Sequence, residues 1–168
     1  MKKTKKEMDV VFILDRSGSM QGTEKDTIGG YNSYIDSFKS KDAKITTVLF
    51  DHEYEMITKR QNVNEVPKLT EKQYFVRGCT ALLDAVGKSI KYMEKEEAEK
   101  VIFIITTDGY ENASQQFNKS QIKEMIQGHK EWEFIYVGAN IDSYSEGQSI
   151  GINKSNIANY RKSRNGIS

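Results

Sequence analysis

Three observations predict an α/β fold built on a mostly parallel sheet that is covered on both faces. Two apolar runs, Val10-Val11-Phe12-Ile13-Leu14 and Val101-Ile102-Phe103-Ile104-Ile105, are unbroken and rich in β-branched residues. Such runs read as strands buried on both sides. Stretches with apolar residues at three- and four-residue spacing alternate with the strand-like runs, and that alternation gives a parallel sheet between helical layers. Each of the two buried runs also ends in an oxygen-rich turn, at Asp15 and at Asp108, and open α/β sheets bind ligands beyond the carboxyl ends of their strands.

The chain has 168 residues, enough for one domain with one substantial core. A formal net charge of +1 gives no global argument for nucleic acid or for a membrane surface. No apolar run approaches the roughly 20 residues of a spanning helix. The first seven residues are basic and lack the apolar stretch of a signal peptide. The single cysteine, Cys79, excludes an internal disulfide and a multi-cysteine metal site. Together these features predict a cytoplasmic protein.

Residues 1–7 are expected to form a mobile basic tail, and the first strand spans residues 8–14. Thr23 is placed to cap the next helix, whose buried stripe is Ile28, Tyr31, Ile35 and Phe38. Gly29 and Gly30 inside it cost roughly 1 kcal/mol each relative to alanine, which points to close approach of helix and sheet. Residues 45–50 and 54–58 read as strands two and three. The short Asp51-His52-Glu53 link makes strand three antiparallel to strand two. Residues 59–77 hold the only proline, Pro67. They should be irregular, with a short helix near 63–66 and anchors at Leu69 and Tyr74.

A helix then starts at Thr80 with Leu83, Val86, Ile90 and Met93 inward, followed by strand four over residues 101–107. A third helix covers residues 120–127 with Ile122, Met125 and Ile126 inward and Gly128 as terminator. Strand five spans residues 134–137, with Trp132 sealing an edge of the core. Asp142 should cap a short helix ending at Gly151, and residues 157–160 form a last short strand.

The functional signal is the set of polar turns. Asp15-Arg16-Ser17-Gly18-Ser19 leaves the first strand through a carboxylate, two hydroxyls and a glycine. Hard oxygen donors of this kind suit Mg2+, Mn2+ or Ca2+, although Asp, Ser and Gly are also ordinary turn residues. Alternate residues in an extended turn point the same way, so Ser17 and Ser19 can face one ion, and Gly18 lets the backbone come close. Thr80 in Gly78-Cys79-Thr80 adds a hydroxyl at a helix start, where it could equally serve as the helix cap. Asp108 follows the second buried run, and Asp84 is either part of this set or a plain surface charge.

Asp15-x-Ser17-x-Ser19, then Thr80, then Asp108 resembles the metal-ion-dependent adhesion site of the von Willebrand factor type A domain, in its bacterial or phage form. The resemblance extends over residues 8–160. It implies a three-layer α-β-α, doubly wound sheet of strand order 3-2-1-4-5-6, with strand three antiparallel at one edge. It also implies that Ser17 and Ser19 hold Mg2+ directly, Thr80 directly or through water, and Asp15 and Asp108 through water. A protein partner would then present an Asp or Glu to the ion. Members of this family normally close with a helix after the last strand. Residues 161–168 are too short and polar to supply it, so the chain is either a fragment of a longer protein or a trimmed form of the fold, and an uncovered C-terminal groove could favour oligomers.

Parallel strands bring Asp51, Glu53, Tyr110, Glu111, Asn140 and Asp142 to the same end of the sheet. Tyr110, Glu111, Asp51, Glu53 and Asn140 are therefore candidates for a rim that shapes partner choice. His52 and Asp142 read as plain turn residues, and Cys79 and Met20 as packing residues. A different reading is a Mg2+-dependent phosphotransfer or hydrolase domain that uses Asp15 or Asp108. It lacks support from a P-loop, a second aspartate two residues after Asp15, or a placed general base.

Overall fold

The computed structural model describes residues 8–108, 111–138 and 143–159. The tails at 1–7 and 161–168, with Tyr160, lie outside the described residues. In chain order the elements are β1 (Met8–Asp15), α1 (Glu24–Phe38), β2 (Ala43–Phe50), β3 (Tyr54–Asn62), α2 (Leu82–Lys95), β4 (Lys100–Thr107), α3 (Lys119–Gly128), β5 (Glu133–Gly138), α4 (Ser143–Ser149) and β6 (Ile157–Asn159). They form one sheet of order β3-β2-β1-β4-β5-β6. Only β3 is antiparallel to its neighbour. The predicted architecture is therefore the observed one.

Period-two alternation sorts the strand residues into two apolar layers. Val11, Ile13, Phe103, Ile105, Phe134 and Tyr136 meet α2 and α3 through Val86, Ile90, Met93, Ile122 and Ile126. Val10, Phe12, Leu14, Ile45, Leu49 and Ile104 meet Tyr31 and Ile35 of α1, together with Val63, Val66, Leu69 and Tyr74 of the connection after β3. The expected short helix near 63–66 is a 3-10 turn at Val63–Glu65, and the second layer explains how this long, otherwise irregular connection stays in place: four of its apolar side chains are core.

Two expectations change here. Gly29 and Gly30 do not mark a close approach, since a Cβ at either would meet nothing within 4 Å. Gly30 instead borders an apolar groove of about 230 Å³ between α1 and the sheet, lined also by Phe12, Leu14, Tyr34, Ile104 and Val137. Strand β3 also runs four residues beyond Thr58, to Asn62. The extension depends on Arg60, which adopts a left-handed φ of 44° where the β2–β3 register slips. There its amide donates to Thr46 Oγ1 and its guanidinium grips both oxygens of buried Asp9 at 2.9 Å.

Parallel pairing sets Asp15 level with Phe50 and Leu14 level with Thr106. The turns after β1, β2 and β4 thus leave the sheet at one end, side by side.

Candidate metal centre

Asp15 is the last residue of β1 and is fully buried. Its Oδ1 accepts from the Ser17 amide and its Oδ2 from Thr107 Oγ1, both at 2.7 Å. Those bonds fix the carboxylate and fold the next residues back over it. Ser17 then starts a single 3-10 turn, Gly18–Met20, which swings Ser19 round until its Oγ is 3.1 Å from Ser17 Oγ. Ser17 is buried while Ser19 faces solvent. Met20 is fully buried, as a packing residue should be.

The Thr80 loop is clamped against this turn. Gly18 N donates to Gly78 O at 3.0 Å and Arg77 N to Arg16 O at 2.9 Å. Gly78 sits at φ +69°, and a Cβ there would strike His52 Nδ1 at 2.3 Å, so the loop requires glycine at that point. Buried Thr80 is in turn tied to the segment after β4. Its amide donates to Asn112 Oδ1, and its carbonyl accepts from the amides of Asn112 and Ala113. Asp108, also buried, lies close enough to Asp15 to push its carboxyl upward. The segments carrying Asp15, Ser17, Ser19, Thr80 and Asp108 therefore converge at one end of the sheet.

The donor chemistry suits a small, hard divalent cation. Adjacent ligands of an octahedron with bonds of about 2.1 Å stand roughly 3.0 Å apart, close to the Ser17–Ser19 separation. Burial pushes the Asp15 carboxyl up to about 6, against the lowering effect of the Ser17 and Thr107 hydrogen bonds and with a further push from Asp108. The adjacent arginine does not relieve this. Arg16 turns away, with Nε on Asp51 Oδ2 at 3.2 Å and Nη1 on Glu55 Oε1 at 2.9 Å.

Several roles differ from those expected. Thr80 is not the cap of α2, which begins two residues later with Ala81 at the cap position. Capping comes from across the Asp108 loop: Glu111 Oε1 accepts from Leu83 N and Ser114 Oγ from Asp84 N, both at 2.9 Å. Glu111 Oε2 also accepts from the amides of Ala113 and Ser114. Glu111 is therefore half-buried and engaged by the helix start and its own loop. Asp84 is no surface charge either, since its oxygens take the amides of Gln115, Gln116 and Phe117.

Asp51 is likewise buried rather than on the rim; it binds Arg16 and Arg77, whose Nε lies 2.7 Å from Oδ2. Its burial alone would raise the carboxyl, but the Arg77 hydrogen bond, the Glu53 amide and the two guanidinium charges bring it below the usual carboxylate range. Glu53 is exposed, as expected, and pairs with Arg77 at 2.8 Å. Thr23 stands at the cap position of α1, but its hydroxyl donates back to Met20 O. Cys79 is exposed rather than packed, because the turn at Gly78 sends Thr80 inward in its place. Tyr110, Asn140 and Asp142 lie outside the described residues.

Thr107 and Tyr74 are site residues that sequence reasoning undervalued. Thr107 orients Asp15, and the Tyr74 hydroxyl donates to the Asp15 carbonyl. The signal for Thr107 was parity: positions 103, 105 and 107 of one strand face the same side as 11, 13 and 15 of its neighbour. Tyr74 is the buried anchor that the sequence predicts, but nothing local signals the bond of its hydroxyl to Asp15. Replacing Glu111 by alanine should cost about 2 kcal/mol through the lost cap. Hydrogen exchange would check it, with faster exchange expected at Leu83 and Ala113 and none at the centre of α2.

No protein-family model and no curated protein sequence matches the chain. Solved structures do. The pilus adhesin SpaC of Lactobacillus rhamnosus GG superposes with a TM-score of 0.77 at 12% identity, covering 94% of this chain and 28% of that one. The vWF domain of the type V pili tip protein Mfa5 of Porphyromonas gingivalis gives 0.73 at 10% identity, covering 95% and 91%. A von Willebrand factor type A protein of Catenulispora acidiphila gives 0.69 at 17% identity, covering 94% and 39%. The chain thus spans well under half of two of these proteins. A longer Mfa5 structure, of three N-terminal domains, is covered over only 20% of its length. At such identities the likeness concerns architecture, and together with the sheet order it establishes that this chain has the von Willebrand factor type A fold.

Proposed function

We propose that the chain is a metal-dependent protein-binding module. In this reading Ser17, Ser19 and Thr80 hold a divalent cation, Mg2+ first and Mn2+ or Ca2+ as alternatives, with Asp15 and Asp108 acting through water. Bound there, the cation would supply a Lewis-acidic position for a carboxylate from a partner's Asp or Glu. The observation that carries the reading is the convergence of those five residues' segments at one end of the sheet, with the two serine hydroxyls 3.1 Å apart. Neutral hydroxyls next to the ion leave its charge under-compensated, which favours an outside anion. Asp15 and Asp108 supply negative charge without occupying the open side.

Two of the similar structures are a pilus adhesin and a pilus-tip protein, which favours binding to another protein over catalysis. The phosphotransfer reading is weakened at Asp15, because both of its oxygens already accept hydrogen bonds and neither is presented as a nucleophile.

A pull-down performed with Mg2+ and repeated with EDTA tests the proposal. Partners retained only with metal, and lost when Ser17 and Ser19 are both replaced by alanine, are the expected result. Identical partners under both conditions would overturn it. Sedimentation of the same samples would show whether the chain self-associates, as an uncovered C-terminal groove would favour.

A further inference from the structure

We infer that Phe75 is a second anchor of the binding face, and that the partner segment carries a large apolar or aromatic side chain near its metal-seeking acid. The inference rests on the reading of Ser17, Ser19 and Thr80 given above.

The large hydrophobic side chains exposed among the described residues are Tyr34, Phe75 and Tyr144, and Phe75 is 44% exposed. It is the one set in the loop that borders the centre. Its neighbours leave it no way inward. Tyr74 is buried with its hydroxyl on the Asp15 carbonyl, Val76 packs against the core, and Arg77 N is bonded to Arg16 O. Alternation along this stretch therefore turns position 75 outward.

The ring is also held in place. The guanidinium carbons of Arg16 and Arg77 each lie 5.5 Å from its centroid, within cation–π range. Both guanidinium groups are fixed by the same buried oxygen, Asp51 Oδ2. An aromatic side chain restrained in this way has fewer rotamers to lose when a partner arrives, which lowers the entropic cost of binding. Rigid, partly exposed aromatic groups of this kind are typical energetic anchors of interfaces. Arg16 contacts the ring and directly precedes Ser17, and the backbone bonds Arg77 N to Arg16 O and Gly18 N to Gly78 O clamp the loop that carries the ring to the serine turn.

The test is a library of linear peptides with one fixed aspartate, panned on the immobilised protein in Mg2+ and eluted with EDTA. Enrichment of Phe, Tyr, Trp, Leu or Met at one fixed spacing from the aspartate is expected. A peptide so selected should bind Phe75→Ala about tenfold more weakly and recover on Phe75→Trp, with Mg2+ affinity and Tm unchanged in both variants. Equal affinity for Phe75→Ala, or aspartate peptides with no apolar preference, would overturn this inference and leave the metal reading standing. If EDTA elutes no peptide and calorimetry finds no Mg2+ binding, the metal reading fails and this inference falls with it.

Discussion

Asp15→Asn should abolish Mg2+ binding and, in the absence of metal, make the protein more stable. The first half follows from what the carboxylate does: it orients Ser17, is itself oriented by Thr107, and supplies negative charge beneath the two serine hydroxyls. Removing a group that positions metal ligands lowers affinity by up to about 100-fold, and here a charge is lost as well. The second half follows from burial. A carboxyl held at about 6 instead of 3.8 is ionised at pH 8 at a cost on the order of 3 kcal/mol. The amide keeps an oxygen for one of the two hydrogen bonds and needs no counter-charge. The metal-free variant should therefore melt several degrees above metal-free wild type at pH 8. Calorimetric titration with Mg2+ and thermal melts in EDTA check both halves. Undiminished Mg2+ binding by the variant would rule out the assignment of Asp15.

Asp51→Ala should be the most destabilising single change near the site. It removes the partner of Arg16, whose side chain is 3% exposed, and the anchor of Arg77. Breaking a buried pair from one side costs about 3–5 kcal/mol. For a chain of this size that lowers Tm by roughly 10 °C or more. Partial relief comes from Glu55, which still reaches Arg16. The same pairing predicts a pH dependence. The folded-state carboxyl of Asp51 lies below its ordinary value of 3.8, so its contribution is fully present above about pH 4 and is lost as pH falls through the folded value. Acid unfolding followed by circular dichroism should show a steeper loss below pH 4 in wild type than in Asp51→Asn.

The fold was legible because its strands are extreme: Val10 to Leu14 and Val101 to Ile105 admit no reading but a buried strand, and the Asp51–Glu53 link dictates a hairpin. The polar turns were legible because they follow those strands directly. What could not be read was which polar side chains would be used up internally. Glu111, Asp51 and Asp84 look like surface acids in one dimension. Beside a few local amides, they bind partners 26 to 35 positions away, and no local pattern encodes such distant pairings. Gly29-Gly30 misled for a related reason, since a glycine pair shows that a side chain is absent and not what lies opposite.

The buried oxygen shared by Arg16 and Arg77 also bears on where such a binding face can operate. Counter-ions weaken exposed pairs beyond a Debye length of about 8 Å at physiological ionic strength, but they reach buried ones poorly. With Asp51 and Arg16 both sealed from solvent, that pair should persist as the surroundings grow saltier, whereas the exposed arm through Arg77 and Glu53 should loosen first.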